Sequence, residues 1–492
     1  MPSNPDQIVQ QMQCDFQNLI AYVRDAEART RTAAEVECTL FRRLLALGLQ
    51  LLRLFFLTHA AAQPSTLPTT KTGTPLPAHD RRSIDYVSVF GKLSVARQYF
   101  YARGSAGVCP LDAELSLPGR CYSDLLRDWM AYDATDGAYR ETTTTLHRIL
   151  GLDLSVQSLE RVVSDDACDV AAFYDQLPST PAPVPLGTIV VAQADGKGVP
   201  MVQPALKTTP VRLGKGEKRT KKKEAIVTVL YTIAPYPRTP QDVLAALLHQ
   251  QRPADPAQRP RPVHKELRAT LDGKALAVRR LAERATLRDG LHIQDRVALT
   301  DGAAPLQEQM QIQLPDYTLV LDIIHIHASE YLWDSATALL GESSPERSPW
   351  VRRHLEQILL GQTAAVITAL AQDCDQPDRT ATQVATLRKT IGYYQRNLPY
   401  MQYDVYLARG WPIGTGVVEG ACGHVVKDRM EQAGMRWTKA GAQAMLDLRA
   451  VRLSGDWDAY WQFHRQQEHA RLYGNVQGAP ARAEGQAFQL AA

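Results

Sequence analysis

The chain has 492 residues, 45% of them hydrophobic and 22% charged, the balance of a soluble globular protein with room for two to four domains. A formal net charge of +3 excludes a nucleic-acid reading from bulk charge, so such a reading must rest on local clusters. Seven cysteines, odd in number and scattered without a CxxC pair, fit reduced cytosolic thiols better than a disulfide framework or a zinc ribbon.

Residues 1–63 read as an N-terminal helical region, and the polar stretch from Met1 to Asp15 does not read as a signal peptide. Leu44 to Ala62 is the most lipid-like segment, but Gln50, Arg53 and His59 interrupt it short of the roughly 20 apolar residues of a membrane span. Leu44, Leu47, Leu51, Leu54 and Phe55 recur at helical spacing, which predicts a buried or self-associating helix and no membrane. Residues 64–82, rich in Pro and Thr, read as a linker.

Residues 83–176 then read as a β-hairpin over Tyr86–Tyr101, turning near Gly91, followed by helices. Within them Tyr139–Leu150, a turn at Gly151–Leu154 and a helix capped by Ser155 and running to Val163 have helix–turn–helix spacing. Any αα corner has that spacing too. If the second helix reads DNA, Gln157 and Arg161 are its groove-facing residues.

The proline-rich stretch 178–185 marks a boundary, after which the texture is α/β. Residues 186–327 predict strands at Thr188–Ala194, Ala225–Ile233, Arg296–Thr300 and Tyr317–His325, the last central because it is nearly all apolar. Helices are expected between them near Gln241–Gln250, Arg279–Ala285 and Leu306–Leu314. Residues 328–408 read as all helical, 409–474 as a closing part with a helix–loop–helix over Gly416–Val451, and 475–492 as a disordered tail.

Three acids, each followed by glycine, carry the candidate chemistry: Asp195, Asp301 and Glu419. Two would sit at strand ends and one on a late helix, where they could share divalent cations, with no glycine side chain to block a substrate backbone. Each also has a bland reading, as a turn for the two aspartates and as a first-turn helix acid for Glu419. Lys215, Lys218, Arg219, Lys221, Lys222 and Lys223 form one basic run. Lys427, Arg429, Arg436 and Lys439 form a second, with Trp437 offered to an unpaired base. Asp322, His325, His327 and Glu330 make a rival cluster. A P-loop and a Gly-x-Ser-x-Gly elbow are not present.

The stretches Ala194–Met201, Gly214–Lys223, Leu299–Gly302, Leu321–His325 with Glu330–Trp333, Trp411–Ala421, Lys427–Lys439 and Gly455–Asp458 resemble the ISKra-four family of bacterial insertion-sequence transposases, more distantly the Mutator type. The resemblance implies an α+β multidomain protein whose RNase H-like core is interrupted by an all-helical insertion before the third acid. It implies a DDE transposase, with Asp195, Asp301 and Glu419 as ligands of two Mg²⁺ or Mn²⁺ ions and His325 near the site, while Asp322, also near it, is the alternative for the second acid. DNA would be the partner, as terminal inverted repeats and target, bound by a homodimer or higher oligomer in a bacterial cytoplasm, at the nucleoid. The family's N-terminal zinc cysteines are reduced here to Cys109, which puts that site in doubt. The rivals are a catalytically silent, transposase-derived DNA-binding protein and an RNase H-like nuclease that cuts without joining.

Overall fold

The computed structural model describes residues 4–25, 29–61, 67–70, 73–177, 187–202, 222–248, 259–324 and 327–474. The protein is a mixed α+β molecule of two compact units, one made of Met1–Asp175 with Asp456–Ala492 and the other of Gln176–Gly455. The basic residues Lys215, Lys218, Arg219 and Lys221, together with His325 and the tail 475–492, lie outside the described residues.

The first unit begins with helices Pro5–Arg24 and Ala33–Ala61. Asn4 caps the first by accepting the Asp6 amide at 3.0 Å, and Thr32 and Glu35 bond reciprocally at the start of the second. The second helix is long and apolar enough to cross a membrane by length and composition. Of the two expectations, burial within the chain is not met, because Leu44, Leu51 and Phe55 stay exposed and only Phe56 is buried. Phe56 packs with Val95, Leu111 and Leu117, beside a hairpin of β1 (Ala78–Ser88) and β2 (Gly91–Phe100). The first strand therefore starts inside the segment expected to be a linker.

Helices Asp124–Ala134, Tyr139–Leu150 and Val156–Asp166 follow. Gly151 ends the second in the left-handed region at φ 70°, and Ser155 caps the third by accepting the Ser158 amide at 3.0 Å. That third helix buries Leu159, Val162 and Val163 and exposes Gln157 and Arg161. The last helix, Trp457–Tyr473, belongs to this unit and does not close the α/β core as expected. Trp457 donates to Asp128 at 2.7 Å, and the Tyr460 hydroxyl reaches the Asp166 carbonyl.

The second unit is built on five strands, β3 (Ile189–Pro200), β4 (Lys222–Ile233), β5 (Val263–Thr270), β6 (Asp295–Thr300) and β7 (Thr318–Leu321), in the order β5-β4-β3-β6-β7. The first three form an antiparallel meander, and β6 and β7 run parallel to β3. β7 is an edge strand, not the central one: its apolar run reports burial on both faces, and the central place goes to β3. Its flank is covered by the Tyr403 hydroxyl, donating to the Leu321 carbonyl at 2.9 Å, and by the amide of Ile323 bonding to Ile413. One face of the sheet packs Val190, Ala192 and Leu230 against helices Lys274–Arg288 and Ala304–Gln313. Helices His327–Leu340, Arg347–Leu359, Thr363–Cys374, Ala381–Asn397 and Tyr403–Ala408 come next, then Gly416–Ala421 and Lys439–Ser454.

Candidate active site

The sheet register brings three carboxylates level. β3 pairs with β6 up to Gln193 opposite Leu299, and two residues further on that register sets Asp195 level with Asp301. β6 pairs with β7 up to Thr300 opposite Leu321, so Asp322 is the next residue in the same row. Asp195 lies within its strand and not at the end, since β4 still pairs with it through Val227. What ends there is the pairing with β6, whose last partners are Gln193 and Leu299, and the ends of parallel strands are where ligands of α/β sheets gather.

Glu419 reaches this row because its helix is docked on β3. Gln193, buried under the sheet, accepts the Val418 amide at 2.9 Å while its own amide donates to Tyr231 at 3.0 Å. The helical stretch from Gly416 to Met430 contains a π turn at Cys422–Lys427, a distortion frequent at functional sites. Cys422 opens that turn and donates its thiol to Asp195 at 3.5 Å. Thr415, also buried, touches the carboxylates of both Asp322 and Glu419, the latter at 2.9 Å. One chain of contacts thus runs from Asp195 through Cys422 to the Glu419 helix, and from Glu419 through Thr415 to Asp322.

Electrostatics agree with that layout. Burial pushes the Cys422 thiol far up, and the Asp195 and Glu419 charges add to it against Lys197, so the thiol keeps its proton as a donor. Burial likewise raises the Tyr393 hydroxyl, with Tyr331, Asp301 and Asp322 adding to it. Tyr393 and Arg396, from helix Ala381–Asn397, hold the turn after β6 by donating to the carbonyls of Asp301 and Gly302 at 3.2 and 3.3 Å. Gly302 has φ +90°, and a Cβ there would meet the Tyr393 oxygen at 2.6 Å. This glycine is required by the fold, a different reason from the open path to substrate expected of it.

Asp195, Asp301 and Glu419 are half-buried, whereas Asp322 is fully buried and accepts the Ile324 amide at 2.7 Å. Among the described residues, the ligand atoms that gather three within 4.8 Å belong to Cys168, Asp169 and His464 in the other unit, not to these acids. Thr415, Cys422, Gln193 and Tyr393 were not singled out from the sequence. Their partners lie 93, 227, 225 and 92 positions away, and no local pattern signals that.

The basic residues divide. Lys222 pairs with Glu431 at 2.8 Å and Lys439 with Asp272 at 2.6 Å, Lys223 is half-buried, and Lys427 and Arg436 are exposed. Arg429 and Trp437 correct the expectation of a DNA contact and a stacking platform: they are 1% and 6% exposed. The guanidinium lies 5.0 Å from the indole centroid, and the indole N–H donates to the Met430 carbonyl. The main chain of Trp437 also extends the end of β3, bonding to Pro200 and Val202.

No family model and no curated protein matches the chain. Among solved structures, it is similar to the Drosophila P element transposase strand transfer complex, at 10% sequence identity and a TM-score of 0.30, covering 69% of this chain and 95% of that one. A likeness of that size carries no argument about activity.

Proposed function

We propose that the protein is a DDE transposase, a metal-dependent enzyme that cuts DNA strands at its element's ends and joins them to target DNA. The observation that carries this reading is the placement of Asp195 and Asp301 level on neighbouring strands, with the helix that bears Glu419 docked on the first of them. An antiparallel meander followed by two strands parallel to the first supports reading the core as RNase H-like, with the helices between Asp301 and Glu419 as its insertion. The motif resemblance points the same way.

The donor set fits Mg²⁺ or Mn²⁺, since half-exposed carboxylates are the hard oxygen ligands these ions take. Such ions supply Lewis-acid activation of a water or 3′-hydroxyl and offset charge on the phosphate. The chain's own part is to hold the ligands: Cys422 orients Asp195, Thr415 steadies Glu419, and Tyr393 with Arg396 fixes the turn carrying Asp301. Asp322, committed to Thr415 and an amide, stands behind this set.

The test uses purified protein with Mg²⁺ and DNA that carries the sequences flanking its gene. Asp195→Asn, Asp301→Asn and Glu419→Gln should each cut cleavage by about 10²–10³-fold or more while leaving end binding intact. Full activity of the Asp301 variant sinks the assignment. Cleavage without strand transfer would indicate a nuclease, and binding without metal-dependent cleavage a silent descendant.

A further inference from the structure

The second unit has a cavity of about 540 Å³ that the proposed chemistry does not use. Arg238, Arg259 and Arg261 line it, no Asp or Glu does so among the described residues, and the rest of its wall is mainly apolar, with partly exposed Ile233, Ile324 and Val417. Arg238 is fixed in place: its guanidinium donates to the carbonyls of Tyr236, at 3.2 Å, and of Trp411. Burial, then the neighbouring Arg259 charge, lower its pKa to about 10. Cations gathered in a partly desolvated site with no carboxylate among its described wall residues are held against repulsion, and an anion would relieve it.

The form of that anion follows from the walls. Guanidinium groups take phosphate oxygens in a fork, and the apolar faces of Ile233, Ile324 and Val417 suit the less polar base or sugar beside them. A cavity of this size is in the range of small-molecule sites and holds one nucleotide, whereas a duplex does not enter it. Its wall is continuous in sequence with the candidate site: Ile324 lies two residues beyond Asp322, and Gly416 and Val417 just precede Glu419. We propose that the Arg238–Arg259–Arg261 cavity binds one phosphate-bearing nucleotide of an unpaired DNA strand. The source of that strand, a DNA end opened near the acids, rests on the transposase reading; the anion site itself does not.

Arg259 and Arg261 are exposed and have no protein partner among the described residues, so Arg259→Ala/Arg261→Ala should fold, as an unchanged Tm would show. The experiment measures anisotropy of a labelled single-stranded oligonucleotide and of its duplex on the full chain. The double variant should lose about tenfold or more of its single-strand affinity, with the salt slope reduced by roughly 0.7 per lost phosphate contact, and keep its duplex affinity. Competition by a mononucleotide would support the cavity and mark a free nucleotide as a second source. Inorganic phosphate competing equally well would overturn the nucleotide assignment. Unchanged single-strand binding, or equal loss for the duplex, would overturn the site. Glu419→Gln should bind the single strand normally, so a failed catalytic reading and a failed cavity give different results.

Discussion

Thr415 has one hydroxyl proton and two carboxylate neighbours, Asp322 and Glu419. With valine there, the two acids would face each other across an apolar side chain, and Glu419 would lose the contact that orients it. Groups that orient metal ligands are worth about 10–100-fold in metal affinity or activity. Thr415→Val should therefore shift the Mg²⁺ dependence of cleavage by about that factor, and Thr415→Ser should restore it. A Tm loss with unchanged Mg²⁺ dependence would make Thr415 a packing residue only. Gly302→Ala should cost about 1–3 kcal/mol in a urea titration, because it adds strain at positive φ to a clash with Tyr393. At this scale the neighbouring placement of Asp195 and Asp301 is legible, since a carboxylate ending an apolar run is conspicuous. The holders of the acids are not, because Thr415 and Cys422 are ordinary residues until the chain folds.

Elements were legible where their period was clean. Helix Tyr139–Leu150, its glycine stop and the Ser155 cap follow from side-chain chemistry within a few residues. β5 was missed because Val-His-Lys-Glu-Leu-Arg-Ala-Thr has too few apolar residues to read as a strand; its middle pairs with β4 and its Leu267 amide with Ser454. The helix Trp457–Tyr473 was not among the elements read from the sequence, which placed its residues in the closing part of the α/β core. Its anchor is His464, buried between Asp166 and Asp169 at 3.3 and 2.7 Å, with Arg127 and Arg471 alongside. Burial opposes its charge, yet the bonds to Asp166 and Asp169 push its pKa up to about 11. Because the folded value lies above the unfolded value of about 6.5, the stabilisation is complete below that pH and fades as pH rises through about 11. His464→Ala should cost about 1–3 kcal/mol near pH 6, by taking a charged partner from each of Asp166 and Asp169, which keep Arg127 and Arg471. The gap to the parent protein should narrow toward pH 11 in urea titrations. A gap independent of pH would mean that packing, not charge, holds the helix.

The whole molecule is discontinuous in one unit and continuous in the other. The proline-rich stretch after residue 177 stands beside the change of unit, but nothing local in the sequence shows that the chain returns to its first unit at Asp456. That return has a thermodynamic consequence. A chain ending at Gly455 keeps every strand of the sheet, the three candidate acids and the helix Lys439–Ser454. It loses Trp457 from Asp128, Glu468 from Arg127, and His464 and Arg471 from Asp169. Asp169 would then lose both His464 and Arg471, and the buried Arg127–Asp166 pair would lose Glu468 and His464 beside it, together a large fraction of the about 5–15 kcal/mol stability of a typical domain. In calorimetry the truncated chain should lose the transition of the first unit and keep that of the second near its original Tm. Mg²⁺-dependent activity on short single-stranded substrates should survive if the second unit alone holds the chemistry. Loss of both transitions would show that the two units fold as one cooperative body, and retention of both would show that the last helix is dispensable to the first.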